Sequence, residues 1–319
     1  MSRVLFLSHD DVIAVLEPDA CREAMAEVLA AHARGGSFFP LRNVAIPPDA
    51  AGFIGLMPGW RGAHEVAGAE RPAAFALKAI CLMPGNPAKG LDAHQGTVTL
   101  FDGETGIPTA ILDASAVTEV RTAAVTAVAT RALARPGAKV LAILGSGVQG
   151  KAHVRALGAD FEEVRMYSPS YAEGARSAEE AVRGADVVVV ATSSREPVLN
   201  HEWLSPGMHV NAVGASTPRA REIEVETVAA AALFCDSRES LRNEAGEFRL
   251  ALEQGAIPAG DAHVRAELGE VLAGQRPGRT SDGELTLFRS LGVAIEDLAA
   301  AQLAVERARE RGLGTELEM

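Results

Sequence analysis

The sequence predicts an α/β protein with two structural units: a doubly wound parallel sheet in the middle of the chain, and an α+β unit formed mainly by its first third. The length of 319 residues is about twice that of a typical domain. Aliphatic runs in the middle third, separated by helical or polar segments, are typical of parallel strands buried on both faces. The predicted α+β unit spans residues 1–115 with the C-terminal helix 296–319, and the predicted parallel unit spans residues 116–295.

The first third is predicted to begin with a short strand at residues 4–7, followed by two helices. Ser8, with Asp11 three residues later, is typical of a capping box that opens the first helix. The second helix is expected over residues 18–34, because Pro18 favours its start and two glycines follow its end. Strand patterns come next, at residues 52–57, 73–82, 97–102 and 107–113. The glycine-containing turn at residues 102–106 predicts a hairpin between the last two strands.

In the middle third, Ser115 is expected to cap a long alanine-rich helix that ends near Ala134. Three apolar runs then predict buried parallel strands, at residues 139–144, 187–191 and 209–213. A last helix is expected over residues 292–311. Alternation of strands and helices in this part of the chain predicts the doubly wound arrangement.

A glycine-rich loop, Gly145-Ser146-Gly147-Val148-Gln149-Gly150, lies between the first of these strands and a helix predicted for residues 148–157. Gly145 permits a tight turn, Gly147 lets the backbone approach a pyrophosphate, and Gly150 allows close packing of helix on strand. The helix N-terminus favours the negative charge of the pyrophosphate. A strand before the loop and a helix after it favour this interpretation over an incidental turn. The sequence therefore predicts a Rossmann-type dinucleotide-binding domain, with Val148 and Gln149 among the cofactor-binding residues.

The next predicted strand, residues 164–167, ends in Ser168-Pro169-Ser170 rather than in the carboxylate that binds a ribose 2′-hydroxyl. No carboxylate is present there to repel a 2′-phosphate, and the hydroxyls of Ser168 and Ser170 can donate to one. We therefore expect NADP as the cofactor, with NAD as the alternative. A second interpretation is that the two serines only cap a turn.

Composition and charge exclude several classes of protein. Hydrophobic residues make up 48% of the chain and charged residues 23%, which is typical of a compact globular protein. A net charge of −12 disfavours binding to nucleic acid or to an anionic membrane. The cysteines Cys21, Cys81 and Cys235 have no metal-ligand spacing, so we expect buried thiols and no metal site. No secretory signal pattern and no apolar run of about 20 residues is evident, and the expected location is the cytoplasm.

Three basic residues, Arg42, Lys78 and Arg121, occupy apolar or structured surroundings. A cation within a run as apolar as residues 73–82 needs a partner, because burial of an unpaired charge is costly. Taken singly, each is explained by a surface position or an ion pair. Together they predict a clamp for a substrate carboxylate, since arginine binds a carboxylate bidentately and lysine adds a point charge.

The sequence resembles the ornithine cyclodeaminase/mu-crystallin family over nearly the whole chain. The resemblance is carried, in the same order and spacing, by residues 117–129, 143–150, 211–216, 266–271 and 287–292. It implies a homodimer in which a dimerising, substrate-binding domain accompanies the Rossmann domain. It also implies that Arg42, Lys78 and Arg121 hold the substrate carboxylate near the nicotinamide. Further expected substrate contacts are Met57, His94 and Ser216, with an ordinary surface position as the alternative for His94. Further expected cofactor contacts are Arg121, Thr122, Thr192, Val213 and Ser290.

Two positions separate the chemistries found in this family. Cyclodeaminases carry a Glu in the strand at residues 52–57 and an Asp after the Asn-Ala-Val-Gly-Gly element, where this chain has Gly55 and Ser216. Without these general bases, the chain resembles the ketimine reductases and alanine dehydrogenases, which transfer a hydride to or from the α-carbon of a small imino or amino acid. Lys78 is then the expected catalytic residue, as an electrostatic anchor or proton donor. The alternatives are an ornithine cyclodeaminase that uses NAD catalytically, and a non-enzymatic, cofactor-loaded binding protein.

One segment departs from the family pattern. Only six residues separate Ser170 from Ser177, where family members have roughly a whole extra helix and strand. We therefore expect a reshaped cofactor domain on its adenosine side.

Overall fold

The computed structural model describes residues 3–66 and 69–318, which form 17 strands and ten α-helices. The strands are β1 Arg3–Leu7, β2 Ser37–Phe38, β3 Asn43–Ala45, β4 Phe53–Arg61, β5 His64–Val66, β6 Ala69–Arg71, β7 Ala74–Leu82, β8 His94–Asp102, β9 Pro108–Asp113, β10 Val140–Leu144, β11 Glu163–Tyr167, β12 Val187–Val190, β13 His209–Ala212, β14 Ala232–Cys235, β15 Val264–Glu267, β16 Thr286–Arg289 and β17 Thr315–Glu318. The helices are α1 His9–Val15, α2 Pro18–Ala33, α3 Ala114–Leu133, α4 Val148–Leu157, α5 Ala178–Val182, α6 Val225–Ala230, α7 Arg238–Glu244, α8 Gly246–Glu253, α9 Leu268–Leu272 and α10 Ala294–Arg311.

The chain divides into two compact units. The first unit comprises Met1–Arg121 and Val293–Met319, and the second comprises Thr122–Gly292. Among the described residues, no helix combines the length and the apolar character that crossing a membrane requires.

The first unit is built on an eight-stranded, mostly antiparallel sheet. Its strand order is β17-β1-β9-β8-β7-β4-β2, with β3 also paired to β4. Helix α10 packs against β4, β7 and β8, and against α2. Along β4, alternate residues including Gly55, Met57 and Gly59 are buried, which places them on the face that α10 covers. A Cβ at Gly59 would lie 3.2 Å from Ala294, so the absent side chain lets α10 approach the sheet closely.

The structure confirms several local predictions in this unit. Ser8 and Asp11 form the predicted capping box at the start of α1. Strands β8 and β9 form the predicted antiparallel hairpin, and Gly106 in its turn has a positive φ of 72°.

Two predictions for this unit are wrong. Ser115 does not cap α3, because the helix begins one residue earlier and the Asp113 carboxylate accepts a hydrogen bond from the Ala116 N–H at 2.8 Å. The last helix expected over residues 292–311 is confirmed as α10, which ends at Arg311 before Gly312 adopts a left-handed conformation with a φ of 64°. The continuation of that helix beyond residue 311, as the predicted unit 296–319 has it, is wrong. The following residues form β17, which pairs with β1.

The second unit is built on a seven-stranded parallel sheet with the order β11-β10-β12-β13-β16-β14-β15. Residues from both faces of β10 and β12 are fully buried in two separate apolar clusters, which confirms the prediction of strands buried on both faces. In the common order of such sheets, 3-2-1-4-5-6, β10 corresponds to the first strand and β11 to the second. In the part of the chain that the structure describes, the sheet ends at β11, so the third strand is missing. Residues 171–177 are too few to form that strand and its helix.

Candidate functional site

The glycine-rich loop of the second unit forms the turn between β10 and α4. Gly145 has a φ of 113°, and a Cβ there would lie 2.2 Å from the Ala191 carbonyl oxygen. A Cβ at Gly150 would lie 2.0 Å from the Gly145 oxygen, so helix and turn are in backbone contact. Gly147 caps α4 and has no heavy atom within 4 Å of its Cβ position. The geometry therefore fits a pyrophosphate at the helix N-terminus.

Other predicted cofactor residues follow the carboxyl ends of neighbouring parallel strands, which is where ligands bind in sheets of this kind. Ser168 follows β11, Thr192 lies beyond β12, Val213 follows β13 and Ser290 follows β16. The Ser168 hydroxyl lies 2.6 Å from the Ser146 hydroxyl and 3.3 Å from that of Ser170, so three hydroxyls cluster beside the loop. The predicted substrate contact Ser216 is half-buried in the loop after β13, and Thr122 is buried in α3.

In the first unit, Lys78 and Arg121 are buried and share one carboxylate. The Lys78 ammonium donates to Asp297 Oδ1 at 2.9 Å, and Arg121 Nε donates to the same oxygen at 3.0 Å. Arg121 Nη1 also donates to Glu296 at 2.9 Å. Asp297 and Glu296 belong to the first turn of α10 and are themselves buried. The partner that a buried Lys78 requires is therefore Asp297.

Sequence reasoning missed both carboxylates. The available signal was the adjacent pair Glu296-Asp297 in an otherwise apolar segment, residues 291–301. Two neighbouring charges in such a segment need buried partners, just as Lys78 does.

Burial and the neighbouring charges shift the pKa values of Lys78 and Asp297. Burial lowers the pKa of Lys78 to about 8, with Asp297 opposing this effect and Arg121 and Arg42 adding to it. Burial alone would raise the pKa of Asp297, but Lys78 and Arg121 hold it below its ordinary value. Arg42, half-buried in the segment between β2 and β3, is thus close enough to act on Lys78. Lys78 is a group that can give up a proton near neutral pH.

Met57 and His94 also lie near these cations. Met57 is buried directly opposite Lys78 across the β4–β7 pair, where it supplies an apolar wall. His94 is the first residue of β8, and its side chain is about half exposed, at 49%. Burial lowers the pKa of His94, Asp92 raises it, and Lys78 with Arg121 lowers it further. Lys78 and Arg121 therefore act electrostatically on His94, whose pKa lies below its ordinary value.

Gly55, where cyclodeaminases carry a Glu, pairs with Ile80 two residues along from Lys78. It lies on the same sheet face as Met57, so a carboxylate there would point to the side of Lys78. The described residues contain no group of three or more His, Cys, Asp or Glu side chains that could hold a metal ion.

A doubly wound parallel sheet with an open, glycine-lined helix N-terminus defines the dinucleotide-binding class of α/β proteins. The chain belongs to the ornithine cyclodeaminase/mu-crystallin family, whose model matches residues 3–312. The resemblance stated from the sequence and the predicted fold class are thereby confirmed.

Three similar proteins illustrate the range of the family. Ketimine reductase mu-crystallin of Mus musculus is 37% identical over 287 residues, which cover 85% of this chain and 86% of that protein. The structure of Thermococcus litoralis Delta(1)-pyrroline-2-carboxylate reductase in complex with NADH and L-proline matches with a TM-score of 0.89 and 34% identity, covering 98% of this chain and 99% of that chain. An archaeal alanine dehydrogenase dimer with bound NAD matches with a TM-score of 0.89 and 32% identity, covering 100% of both chains.

Proposed function

We propose that this protein is an NAD(P)-dependent oxidoreductase that transfers a hydride to or from the α-carbon of a small imino or amino acid. The observation that carries the proposal is the buried cluster of Lys78, Arg121 and Asp297, with Arg42 acting on it. Similar proteins named as ketimine reductase, pyrroline-2-carboxylate reductase and alanine dehydrogenase support this reaction class.

The cations of the cluster suit a substrate that carries a carboxylate. Lys78 and Arg121 are buried beside Asp297, and Arg42 is near enough to act on Lys78. Arg42 and Arg121 orient the carboxylate, and such orientation lowers the entropic part of the barrier.

Lys78 is assigned the proton transfer. When a neutral imine is reduced at its carbon, its nitrogen gains a proton, and the Lys78 ammonium can supply it because its pKa is about 8. In the reverse direction the neutral amine of Lys78 takes the proton back. His94 and Met57 are assigned to the substrate side of this cluster, where Met57 limits access of water.

The loop of Gly145, Gly147 and Gly150 fits a dinucleotide, and the nicotinamide of that group supplies or accepts the hydride when bound. The clustered hydroxyls of Ser146, Ser168 and Ser170 support NADP as the preferred cofactor, because they can donate to a 2′-phosphate. NAD is the alternative, since the similar solved structures hold NADH or NAD. Fluorescence titration with both reduced cofactors distinguishes them.

A cyclodeaminase is the second candidate, because the family includes ornithine cyclodeaminases. Gly55 and Ser216 argue against it, since neither can act as a general base or pair with a second substrate amine. One paired assay separates the candidates. A reductase consumes reduced cofactor stoichiometrically with a cyclic imino acid and releases no ammonia from ornithine. A cyclodeaminase releases ammonia without net cofactor consumption, and a binding protein does neither.

We also propose a homodimer that forms through the outer face of the first unit's sheet, opposite α10. Ile54 and Phe75 are exposed on this face, at 37% and 45%, and Trp60 is half-buried beside Phe75. A similar alanine dehydrogenase is described as a dimer. The three cysteines are free thiols, which supports a reducing location such as the cytoplasm.

A further inference from the structure

The loop that follows β13, residues 213–216, is held by two buried charged side chains. Glu222 has no exposed surface. One of its carboxylate oxygens accepts from the Thr192 N–H at 2.7 Å and from the Thr192 hydroxyl at 2.8 Å. The other oxygen accepts from the Ala215 N–H at 2.7 Å. One carboxylate therefore joins the loop after β12 to the loop after β13.

Arg289, in β16, holds the same loop from its other side. Its guanidinium donates to the Ala212 carbonyl at 3.0 Å and also to the Ala215 carbonyl. Glu247 pairs with this arginine, so the charge is compensated within the core. The Ala215 residue is thus fixed through both of its backbone polar groups, its N–H by Glu222 and its carbonyl by Arg289.

Gly214 shows how closely the two loops approach each other. A Cβ at this position would lie 2.1 Å from the Thr192 oxygen and 2.5 Å from Glu222 Oε1. Both distances are shorter than real Cβ contacts, so the contact requires glycine. Val213 and Ser216, assigned to the cofactor and the substrate, lie on either side of the fixed segment.

We propose that Glu222 and Arg289 are positioning residues that fix Val213 and Ser216 for hydride transfer through the backbone of residues 212–215. This inference rests on the proposed function. Neither side chain contacts ligand in this assignment. They act by holding the two loops with five hydrogen bonds and an ion pair. A displacement of about 1 Å at a reacting centre can lower the rate about 100-fold.

The test compares Glu222→Gln with the wild type, and uses Asp186→Asn as the matched control. A glutamine keeps the shape, but its NH2 group faces a backbone N–H on one of the two loops, where it cannot accept. Asp186 is also a buried carboxylate that accepts from two backbone N–H groups, those of Lys139 and Val140, but it lies at the amino end of the same sheet. We expect Glu222→Gln to lower kcat about 10- to 100-fold, and Asp186→Asn to lower Tm with unchanged kcat.

A pH profile separates positioning from a purely structural role. Burial raises the pKa of Glu222 to about 7, while Arg289 and the hydrogen bonds from Thr192 and Ala215 oppose this. Protonation of Glu222 turns one of its acceptor oxygens into a hydroxyl donor, which cannot accept from the backbone N–H groups of Thr192 and Ala215. Wild-type kcat should therefore fall as pH drops below about 7. Glu222→Gln should lack this dependence.

These measurements distinguish failure of the proposed function from failure of the positioning role of Glu222. If the wild type neither binds NADH or NADPH in a fluorescence titration nor reduces imino acids, the proposed function is wrong. If the wild type turns over and Glu222→Gln keeps wild-type kcat and the same acid limb, the positioning role is wrong, whatever happens to Tm. Loss of kcat with retained cofactor affinity and Tm supports it.

Discussion

Asp297 opposes the effect of burial on the pKa of Lys78, and its replacement by Asn provides a quantitative test. The change is nearly isosteric, so the packing of α10 against the sheet is retained while the negative charge is removed. Asp297 raises the pKa of Lys78, against burial and against the fields of Arg121 and Arg42, which lower it. Removal of that charge should therefore lower the pKa of Lys78 below about 8.

The magnitude follows from the geometry. Asp297 Oδ2 lies 2.8 Å from the Lys78 ammonium, and an opposite charge at this range typically shifts a pKa by about 1–3 pH units. The pKa of Lys78 should then fall from about 8 to about 5–7 in the variant. At pH 7 the protonated fraction falls from about 90% to about 1–50%, which lowers the rate of imine reduction about 2- to 100-fold.

The measurement is kcat/KM for reduction of a cyclic imino acid as a function of pH. In the wild type the rate should fall as pH rises through about 8, because the proton donor is lost. In Asp297→Asn this alkaline limb should lie at lower pH. Glu296→Gln is the matched control, because Glu296 accepts from Arg121, whereas the carboxylate that accepts from Lys78 is that of Asp297. The alkaline limb of this variant should stay at about pH 8.

Two results would refute this reasoning. One is an alkaline limb that stays in place in Asp297→Asn although the variant is folded by circular dichroism. The other is an equal displacement in both variants, which would show that the limb reports on Arg121 or on overall charge rather than on Lys78.

Three further predictions concern other parts of the molecule. Gly147→Asp should leave a folded protein, because nothing lies within 4 Å of the new Cβ. It should weaken cofactor binding about 10- to 1000-fold by charge repulsion. Unchanged affinity in a fluorescence titration would contradict the loop assignment. Ser216→Asp should lower the rate of imine reduction, because a new anion beside a small substrate must be desolvated; a neutral or faster variant that releases ammonia would favour the cyclodeaminase. Phe75→Glu should convert the dimer to a monomer, as measured by light scattering. Val164→Glu, at an exposed apolar position of the second unit, should leave the dimer intact. A wild type that is monomeric at micromolar concentration would refute the dimer itself.

Local patterns in the sequence were sufficient for much of the fold. The capping box of Ser8 and Asp11 involves residues three apart, and the glycine loop at 145–150 joins an adjacent strand and helix. The fully apolar runs of β10 and β12 report burial on both faces of a parallel sheet. Such features depend on periodicity and steric rules within a few residues, so the sequence by itself determined them. The short segment after Ser170 likewise predicted that the cofactor domain is reshaped on the side that would bind the adenosine.

The tertiary structure alone decided which charges meet. Lys78 and Asp297 are 219 positions apart, and Arg121 and Glu296 are 175 apart. The sequence showed that Lys78 needed a partner but did not identify that partner. An ion pair produces no periodic pattern in the sequence, and folding can bring any acidic residue near Lys78. For the same reason the predicted unit 296–319 did not contain β17, because the pairing of β17 with β1 joins opposite ends of the chain. Glu222 was not singled out at all, since its role depends on two backbone N–H groups that only folding places within reach of one carboxylate.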